Sequence, residues 1–395
     1  MKAGWERKTL AEICDIERGG SPRPIDSFLT KDADGINWIK IGDTKGITKY
    51  ITKTEEKIRP EGAKRSRMVY EGDFILSNSM SFGRPYIMKT TGCIHDGWLV
   101  LRQPKISQDF LYQVLGSDMV FEQFDRLASG STVRNLNIGL VKTVKIPVPP
   151  LPEQQRIVGI LDEAFEGIAT AKANAEKNLQ NARELFESHL QSVFTKRGEG
   201  WADRTLDQVC VVERGSSPRP IKEFFTTAQN GVNWIKIGDT EEGGKYVYST
   251  AQKITPEGAK QSRYVKKGDF ILTNSMSLGR PYIMKTDGYI HDGWFVLRLG
   301  EGIDSEFFYY LLSSSYVQGQ FHSLAAGAVV KNISGDLVKR AILPIPPLAQ
   351  QHVIVEMLLE LSAETQRLES IYQQKIAALD ALKKSLLDQA FRGEL

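Results

Sequence analysis

The sequence predicts an α+β fold: two homologous mixed α/β domains separated by two long antiparallel helices that form a coiled coil, with pseudo-two-fold symmetry. Three observations predict it: an internal repeat, apolar stripes at helical spacing after each copy, and short apolar runs between Gly and Pro within each copy. These features divide the chain into a first domain, a central helix, a second domain and a C-terminal helix, at residues 1–150, 151–198, 199–346 and 347–395.

The two copies of the repeat are close enough to share one fold. Of the 29 residues in 74–102, 24 recur unchanged in 270–298. NWIKIGDT occurs intact at 37–44 and again at 233–240. Within the first copy, the runs FILSNSM, WLVLR and VKIPVP predict short buried strands, and residues 108–127 predict one or two helices.

The central helix is predicted from its apolar spacing and its end signals. Pro152 and Glu153 suit a first helical turn, and Lys196, Arg197 and Gly198 suit the end of a helix. Apolar residues between these signals recur at steps of three and four, at Leu161, Ala164, Ile168, Ala171, Ala175, Leu179, Ala182, Phe186, Leu190 and Val193. A single helix cannot bury such a stripe alone, so it needs a partner.

The C-terminal helix supplies that partner. PPL at 346–348 opens it as PPL at 149–151 opens the central helix, and Arg392 and Gly393 close it. Its predicted stripe is Ile354, Leu358, Leu361, Leu368, Tyr372, Ile376, Leu379, Leu382, Leu386 and Ala390. Because the central helix leads the chain away from the first domain and the C-terminal helix leads it away from the second, the two must pair antiparallel.

Composition excludes several classes of protein. The chain has 41% apolar and 25% charged residues, as in a soluble globular protein, and contains neither an apolar signal segment nor a membrane-length apolar run. We therefore expect a cytoplasmic protein without membrane contact. Cys14, Cys93 and Cys210 are too scattered for a thiolate metal site, so no metal is predicted.

Charge separates the predicted domains from the predicted helices. Residues 1–150 contain 23 Lys and Arg against 18 Asp and Glu, whereas residues 151–200 contain 6 against 8. Basic domains and acidic helices indicate surfaces for different partners. Two like domains held on a rigid spacer suit duplex DNA, which has a two-fold axis at every base pair.

Several duplicated segments resemble a known family, the specificity (S) subunits of type I restriction-modification systems. They are an opening W-x-x-x-x-L at Trp5 and Trp201, GDFIL at Gly72 and Gly268, GSTVRNLN at Gly130 with GAVVKNIS at Gly327, IPVPPL at Ile146 with LPIPPL at Leu343, and a closing AFRGEL at Ala390. The resemblance covers essentially the whole chain and implies two target recognition domains, each reading half of a split DNA site.

The resemblance also implies the partners and the chemistry they bring. Two modification (M) subunits would dock on the helices, bind S-adenosylmethionine and methylate adenine, and restriction (R) subunits could join them. This chain would be non-catalytic, with no catalytic residue and no cofactor of its own. Family members commonly read two different half-sites, whereas two near-identical domains predict a near-palindromic split target.

The candidate DNA contacts are side chains that can bond base edges or phosphates. In the first copy they are Arg23, Lys40, Lys64, Arg65, Arg67, Asn78, Ser79, Arg84 and Arg134; in the second they are Arg219, Lys236, Lys260, Arg263, Asn274, Ser275, Arg280 and Lys331. Any one of them could instead be a solvated or capping residue.

Two other readings stay open on the residues alone. The chain could be a stand-alone, two-headed DNA-binding regulator that uses its helices only as a spacer. His95-Asp96, repeated as His291-Asp292, could be an acid-base pair of an enzyme, but a structural turn before a strand explains IHDGW better. Copurification with a methyltransferase chain would separate the regulator from a specificity subunit.

Overall fold

The computed structural model describes residues 2–78, 83–128, 136–241, 243–274, 278–325 and 333–395. The chain forms two compact units. The first contains Met1–Glu176 and Gln374–Leu395, and the second contains Lys177–Gln373. Each unit therefore includes one half of each long helix, whereas the predicted division kept the helices as separate segments.

The first unit contains twelve strands among its described residues. They are β1 (Glu6–Thr9), β2 (Asp15–Arg18), β3 (Leu29–Thr30), β4 (Ile36–Ile39), β5 (Tyr50–Ile51), β6 (Glu56–Ile58), β7 (Arg67–Val69), β8 (Phe74–Ser77), β9 (Pro85–Met88), β10 (Gly92–Ile94), β11 (Trp98–Arg102) and β12 (Lys145–Val148). Its helices are α1 (Leu10–Ile13), α2 (Pro60–Ala63), α3 (Gln108–Leu115), α4 (Asp118–Ala128), α5 (Ile138–Thr143) and the long α6 (Leu151–Thr195), which continues into the second unit.

The second unit repeats this order. Its strands are β13 (Ala202–Thr205), β14 (Cys210–Arg214), β15 (Phe225–Thr226), β16 (Val232–Ile235), β17 (Tyr246–Val247), β18 (Gln252–Ile254), β19 (Arg263–Val265), β20 (Phe270–Thr273), β21 (Pro281–Met284), β22 (Gly288–Ile290), β23 (Trp294–Leu299) and β24 (Ile342–Ile345). Its helices are α7 (Leu206–Val209), α8 (Pro256–Ala259), α9 (Ser305–Ser313), α10 (Ser315–Ala325), α11 (Gly335–Lys339) and the long α12 (Leu348–Arg392), which ends in the first unit.

The sheets of the two units have the same topology over the described residues. In the first unit one sheet has the order β2-β11-β8-β9-β5, a second has the order β3-β6-β4-β10-β7, and β1 pairs with β12. The second unit repeats these as β14-β23-β20-β21-β17, β15-β18-β16-β22-β19 and β13-β24. The repeated sequence thus gives a repeated mixed sheet architecture.

Burial explains why FIL and WLVL are continuous apolar runs instead of alternating ones. Phe74 and Leu76 of β8 pack into a core with α3 and α4, whereas Ile75 packs into a second core with Ile39 and Ile94 of the other sheet. Successive side chains of a strand point to opposite faces, so a strand between two apolar layers must be apolar at every position.

The long helices pair antiparallel within each unit. In the first unit Lys172 Nζ lies 2.7 Å from Asp380 Oδ1, and in the second unit Arg183 Nε lies 2.9 Å from Glu369 Oε2. The first unit also has the Lys383 ammonium 4.8 Å from the Phe165 ring centroid, and in the second unit Gln350 Nε2 donates to the Glu199 carbonyl at 3.2 Å. Within each unit, therefore, residue numbers rise along α6 and the residues after it as they fall along α12. These contacts and the two mixed domains confirm the predicted fold class of homologous α/β domains with two long antiparallel helices.

One member of the predicted stripes is wrong. Leu382 is 47% exposed, although all ten predicted stripe residues of α6 are buried or half-buried. The adjacent Lys383 lies over the ring of Phe165, with its ammonium 4.8 Å from the ring centroid. A long basic side chain can cover apolar surface, so the exposed Lys383, and not Leu382, is the residue that contacts Phe165 here.

Candidate nucleic-acid interface

Three predicted segments meet at one edge of a sheet in the first unit. Strands β4 and β10 are parallel and pair Ile39 with Ile94, so Lys40 and His95, which follow them, leave the sheet at the same edge. Strand β7 is antiparallel to β10 and pairs Arg67 with Ile94, so it begins at that edge. The segments NWIKIGD, IHDGW and EGAKRSR are therefore neighbours in space.

Asp96 binds further segments to this edge. Its backbone carbonyl accepts hydrogen bonds from Asn78 Nδ2 at 2.9 Å and Arg18 Nε at 3.2 Å. Its carboxylate accepts a hydrogen bond from Ser21 Oγ at 2.6 Å and lies 3.5 Å from Arg23 Nη2. We call Arg18, Ser21, Arg23, Asn78 and Asp96 the Asp96 hub.

The second unit contains the same arrangement, the Asp292 hub. Asn274 Nδ2 and Arg214 Nε donate to the Asp292 carbonyl at 2.6 and 3.4 Å. Ser217 Oγ donates to the carboxylate at 2.7 Å, and Arg219 Nη2 lies 3.6 Å from it. In both hubs the serine hydrogen bond is the main cause that lowers the pKa of the aspartate, so the carboxylate is ionised at neutral pH.

Asn78 and Asn274 lie inside their hubs instead of on the surface. Their side chains are buried, with exposed fractions of 1% and 3%, and their amides donate to backbone carbonyls. A groove contact needs an exposed donor or acceptor, so the structure gives these two predicted DNA-binding residues a structural role. They hold the end of β8, and of β20, against the IHDGW turn.

Arg23 and Arg219 are the most available guanidinium groups of the hubs. Their side chains are 82% and 83% exposed, and within the described ranges each forms a single long, solvent-screened ion pair. Such exposed pairs contribute little free energy, so a phosphate or a guanine edge could replace the aspartate at small cost. The peptide bonds Arg23–Pro24 and Arg219–Pro220 are cis.

The EGAKRSR segment adds further cations beside each hub. A Cβ added to Gly20 would lie 3.3 Å from the carbonyl oxygen of Arg65, which shows how closely this segment packs on the loop before Ser21. Lys64 and Lys260 are exposed, and Arg65 lies over the ring of Phe28 at 5.5 Å. Gln261 replaces Arg65 in the second unit.

Arg67 and Arg263 occupy equivalent positions at the start of β7 and β19. Arg67 lies 3.3 Å from Glu17 and Arg263 lies 2.9 Å from Glu213. Each also donates through Nε to the backbone carbonyl of the preceding hub arginine, at 3.4 Å. Both side chains remain exposed, so they contribute positive charge to the same surface.

The remaining predicted cations differ between the units. Arg84 donates to the Ile47 carbonyl at 3.3 Å and lies over the ring of Tyr86, whereas the guanidinium of Arg280 has no such contact among the described residues. Lys40 forms an ion pair with Glu56 at 2.7 Å, whereas the ammonium group of Lys236 has no ion pair among the described residues. The predicted contacts Ser79, Arg134, Ser275 and Lys331 lie outside the described residues.

The histidine of the hub turn has the contacts of a structural residue. His95 Nδ1 accepts a hydrogen bond from the Gly97 amide at 2.7 Å, and the ring lies between Trp38 and Trp98, 6.2 Å from each. Burial lowers the pKa of His95, so the ring is neutral near pH 7. A Cβ on Gly19 would lie 2.0 Å from the His95 carbonyl oxygen, which explains the glycine of ERGG.

Sequence reasoning missed Arg18 and Arg214. Both are exposed and bond the hub carbonyl, which places them beside Arg23 and Arg219. The available signal was their place in the repeated ERGGSPRPI and ERGSSPRPI segments, from which only the second arginine was chosen. In the described part of the chain, no helix is long and apolar enough to cross a membrane, and no His, Cys, Asp and Glu group could hold a metal.

The family is decided by a comparison of the whole chain with known proteins. Residues 2–180 and 198–378 both match the family described as "Type I restriction modification DNA specificity domain". The chain belongs to this family. The two matched segments cover the two copies of the repeat and about two thirds of the long helix that follows each, so each hub lies within a DNA specificity domain.

Relatives and solved structures agree with this assignment. The EcoBI specificity subunit of Escherichia coli is 24% identical over 426 residues, with 99% of this chain and 86% of the relative covered. A chain from a structure of type I R-M complex assembly and conformational transition has a TM-score of 0.82 at 21% identity, with 100% and 99% covered. The HsdS subunit from Thermoanaerobacter tengcongensis has a TM-score of 0.64 at 22% identity, with 100% and 98% covered. The predicted resemblance to type I specificity subunits is confirmed, and the family supports a role in DNA sequence recognition.

Proposed function

We propose that this chain is the sequence-reading subunit of a type I restriction-modification complex and that each hub reads one half of a bipartite DNA site. The observation that carries the proposal is the duplication of one basic, exposed hub in two DNA specificity domains. Arg18, Arg23 and Arg67, with Arg214, Arg219 and Arg263, supply the cations that neutralise phosphates or bind guanine.

The near identity of the hubs supports a near-palindromic target. Hub residues and their bonds correspond one to one between the units, so both readers present the same donors to a groove. If a pseudo-two-fold axis relates the units as the sequence predicts, the two half-sites are an inverted repeat. Binding-site selection that returned two unrelated half-sites would contradict this part of the proposal.

The long helices are the proposed docking surface for two M subunits. They are acidic and present a mostly charged and polar face outside their paired stripe, which suits partners different from DNA. The M subunits would bind S-adenosylmethionine and methylate an adenine in each half-site, and R subunits could join this complex. The chain itself would be non-catalytic, since its repeated His-Asp pair is engaged in a turn.

The proposal is tested by mapping methylated adenines across the genome with and without this protein, together with copurification. We expect a methyltransferase chain to copurify and one bipartite adenine-methylation motif to disappear on deletion. A chain that is isolated alone, with an unchanged methylation map, would contradict the proposal and favour a stand-alone DNA-binding regulator.

Substitutions in the hubs connect the function to the proposed surface. Arg23→Ala with Arg219→Ala should weaken specific DNA binding and lower the salt dependence by about one phosphate contact per arginine. Lys105→Ala is the control, because Lys105 is exposed and follows the end of β11 that lies away from the hub. Equal affinity of the hub variant and the control at two salt concentrations would remove the arginines from the interface.

A further inference from the structure

The two units differ in charge at one strand next to the hub edge. Strand β6 begins at Glu56, which pairs with Trp38, and β18 begins at Gln252, which pairs with Trp234. The two positions are equivalent in the repeated sheet, so one carboxylate of the first unit is an uncharged amide in the second. Ala251 also replaces the neighbouring Glu55.

In the first unit this carboxylate forms an ion pair with the nearest lysine. Lys40 Nζ lies 2.7 Å from Glu56 Oε1, and the two side chains are 33% and 37% exposed. The hydrogen bond to Glu56 raises the pKa of Lys40, which shows that the charged lysine is stabilised by its intramolecular partner. A DNA oxygen would have to displace a carboxylate to reach this ammonium group.

In the second unit the equivalent lysine has no such partner. The ammonium group of Lys236 has no ion pair among the described residues, and its backbone N–H donates to Asp239 Oδ2 at 2.7 Å. The Gln252 Oε1 atom is buried without a hydrogen-bond partner. The lysine therefore does not use the amide that replaces Glu56. Strands β16 and β22 are parallel and pair Ile235 with Ile290, so Lys236 leaves the sheet beside His291 at the hub edge.

Arg84 and Arg280 also differ in their contacts. Arg84 is held by the Ile47 carbonyl and the ring of Tyr86, whereas the guanidinium of Arg280 has neither contact among the described residues. The exchange of Arg65 for Gln261 has the opposite sign, but it lies on the EGAKRSR segment and leaves Lys236 unaffected. Arg280 is half-buried and lines a cavity with Glu306 and Tyr309 of α9, so the difference in available charge at the Asp292 hub rests on Lys236.

We propose that Lys236 contacts the target DNA directly and Lys40 does not, so the two near-identical domains bind their half-sites unequally. The inference rests on the proposed DNA-reading function of the hubs and adds one residue that distinguishes them. The ligand atom is an oxygen or nitrogen acceptor of DNA, either a phosphate oxygen or the guanine O6 and N7 edge. A near-palindromic target then has one stronger half.

The sharpest test exchanges the residues at the two equivalent positions, Glu56 and Gln252. The full chain, in complex with its copurified partner, is bound to duplexes in which one half-site is intact and the other is scrambled. Gln252→Glu and Lys236→Ala should each weaken binding to the second half-site about five-fold or more, and the double variant should lose no more than either alone. Glu56→Gln should strengthen binding to the first half-site, and Lys236→Arg should retain most of the affinity.

Lys40→Ala is the matched variant in the first unit and should change affinity far less than Lys236→Ala. Equal losses for the two lysines, or no loss for either, would overturn the inference. A uniform loss with a salt slope lower by about one identifies a phosphate contact, and lost discrimination at one base pair identifies a guanine contact. A wild-type complex without sequence-specific binding would instead overturn the proposed function itself.

Discussion

The hubs of the two units share the same bonds. The ion pairs between the long helices differ, because positions that are equivalent in the repeat carry charges of opposite sign. At positions related by the repeat, Lys172 corresponds to Glu369 and Asp380 corresponds to Arg183. The cation lies on α6 and the acid on α12 in both units. The hub residues are the same in the two copies, whereas the helices share only the pairing of a positive with a negative side chain.

The difference follows from the number of partners that each group has. Asp96 is contacted by four residues from two other segments of the chain, so a substitution at any of them leaves other groups unpaired. Lys172 and Asp380 contact mainly each other at a solvated surface, where either polarity serves. If two copies of α6 paired antiparallel with the same spacing, Lys172 of one would face Arg183 of the other and the like charges would repel. The charge pattern therefore favours pairing of α6 with α12.

We expect the largest effect from substitutions that disturb the close backbone packing found in both hubs. Gly19→Ala and Gly215→Ala would each place a Cβ 2.0 Å from a backbone carbonyl oxygen of the hub turn. The loop must move, and we expect a loss of about 3 kcal/mol in the unit that carries the substitution. Because a two-unit chain need not unfold in one step, amide hydrogen exchange of each IHDGW turn is the appropriate measurement.

Gly42→Ala and Gly238→Ala are the matched controls for these substitutions. They occupy equivalent positions in the two units, and an added Cβ would meet no atom within 4 Å. Hydrogen exchange at the hub turns should be unchanged in both. If Gly19→Ala and Gly42→Ala gave the same exchange rates, close packing would not be what fixes the hub.

Much of the fold could be predicted because it depends on local patterns. The repeat required two similar units, and apolar steps of three and four placed all ten predicted stripe residues of α6 on its buried or half-buried side. The prediction for Leu382 was wrong because steps of three and four leave the next stripe position ambiguous, and it is Lys383 that reaches Phe165. Periodicity does not recognise a basic residue as part of an apolar stripe.

The hub could be predicted only as a set of segments. Ser21 and Asp96 are 75 positions apart, and Arg18 and Asp96 are 78 apart, so the contact depends on strand order that the sequence did not reveal. For the same reason Asn78 was assigned to the DNA surface although it lies buried beneath the turn. Residue type identifies side chains that can donate hydrogen bonds, but which of them are exposed depends on the tertiary fold, and their contacts with DNA stay a prediction.

A smaller effect is expected for the reversed ion pairs. Lys172→Glu should lower the stability of the paired helices, because it opposes Asp380 with a like charge, and adding Asp380→Lys should restore most of the loss. The difference should shrink at 1 M salt, where exposed charges are screened. Lys177→Glu is the control, since Lys177 is exposed and has no ion pair in the described part of the chain. Additive losses in the double variant would show that the two charges do not interact.

The smallest expected effect is a difference between the two units in their stability at acid pH. In the first unit, hydrogen bonds from Arg156 and Lys2 lower the pKa of Glu153 from its ordinary 4.5 to about 2. The equivalent residue in the second unit is Gln350, which cannot titrate. A depressed folded-state pKa stabilises the fold above pH 4.5, and this contribution is lost as the pH falls towards about 2.

Lowering the pH between these values should therefore destabilise the start of α6 in the first unit. Amide hydrogen exchange measured along an acid titration should detect this. The start of α12 in the second unit lacks this carboxylate, so its exchange should change less over the same range. Glu153→Gln makes the two helix starts alike and should remove the difference. Because the Glu153 contacts are partly solvated, with Lys2 44% and Glu153 21% exposed, the effect should also weaken as salt is added. Equal acid responses of the two helix starts in the unsubstituted chain would show that these ion pairs contribute nothing specific to the first unit.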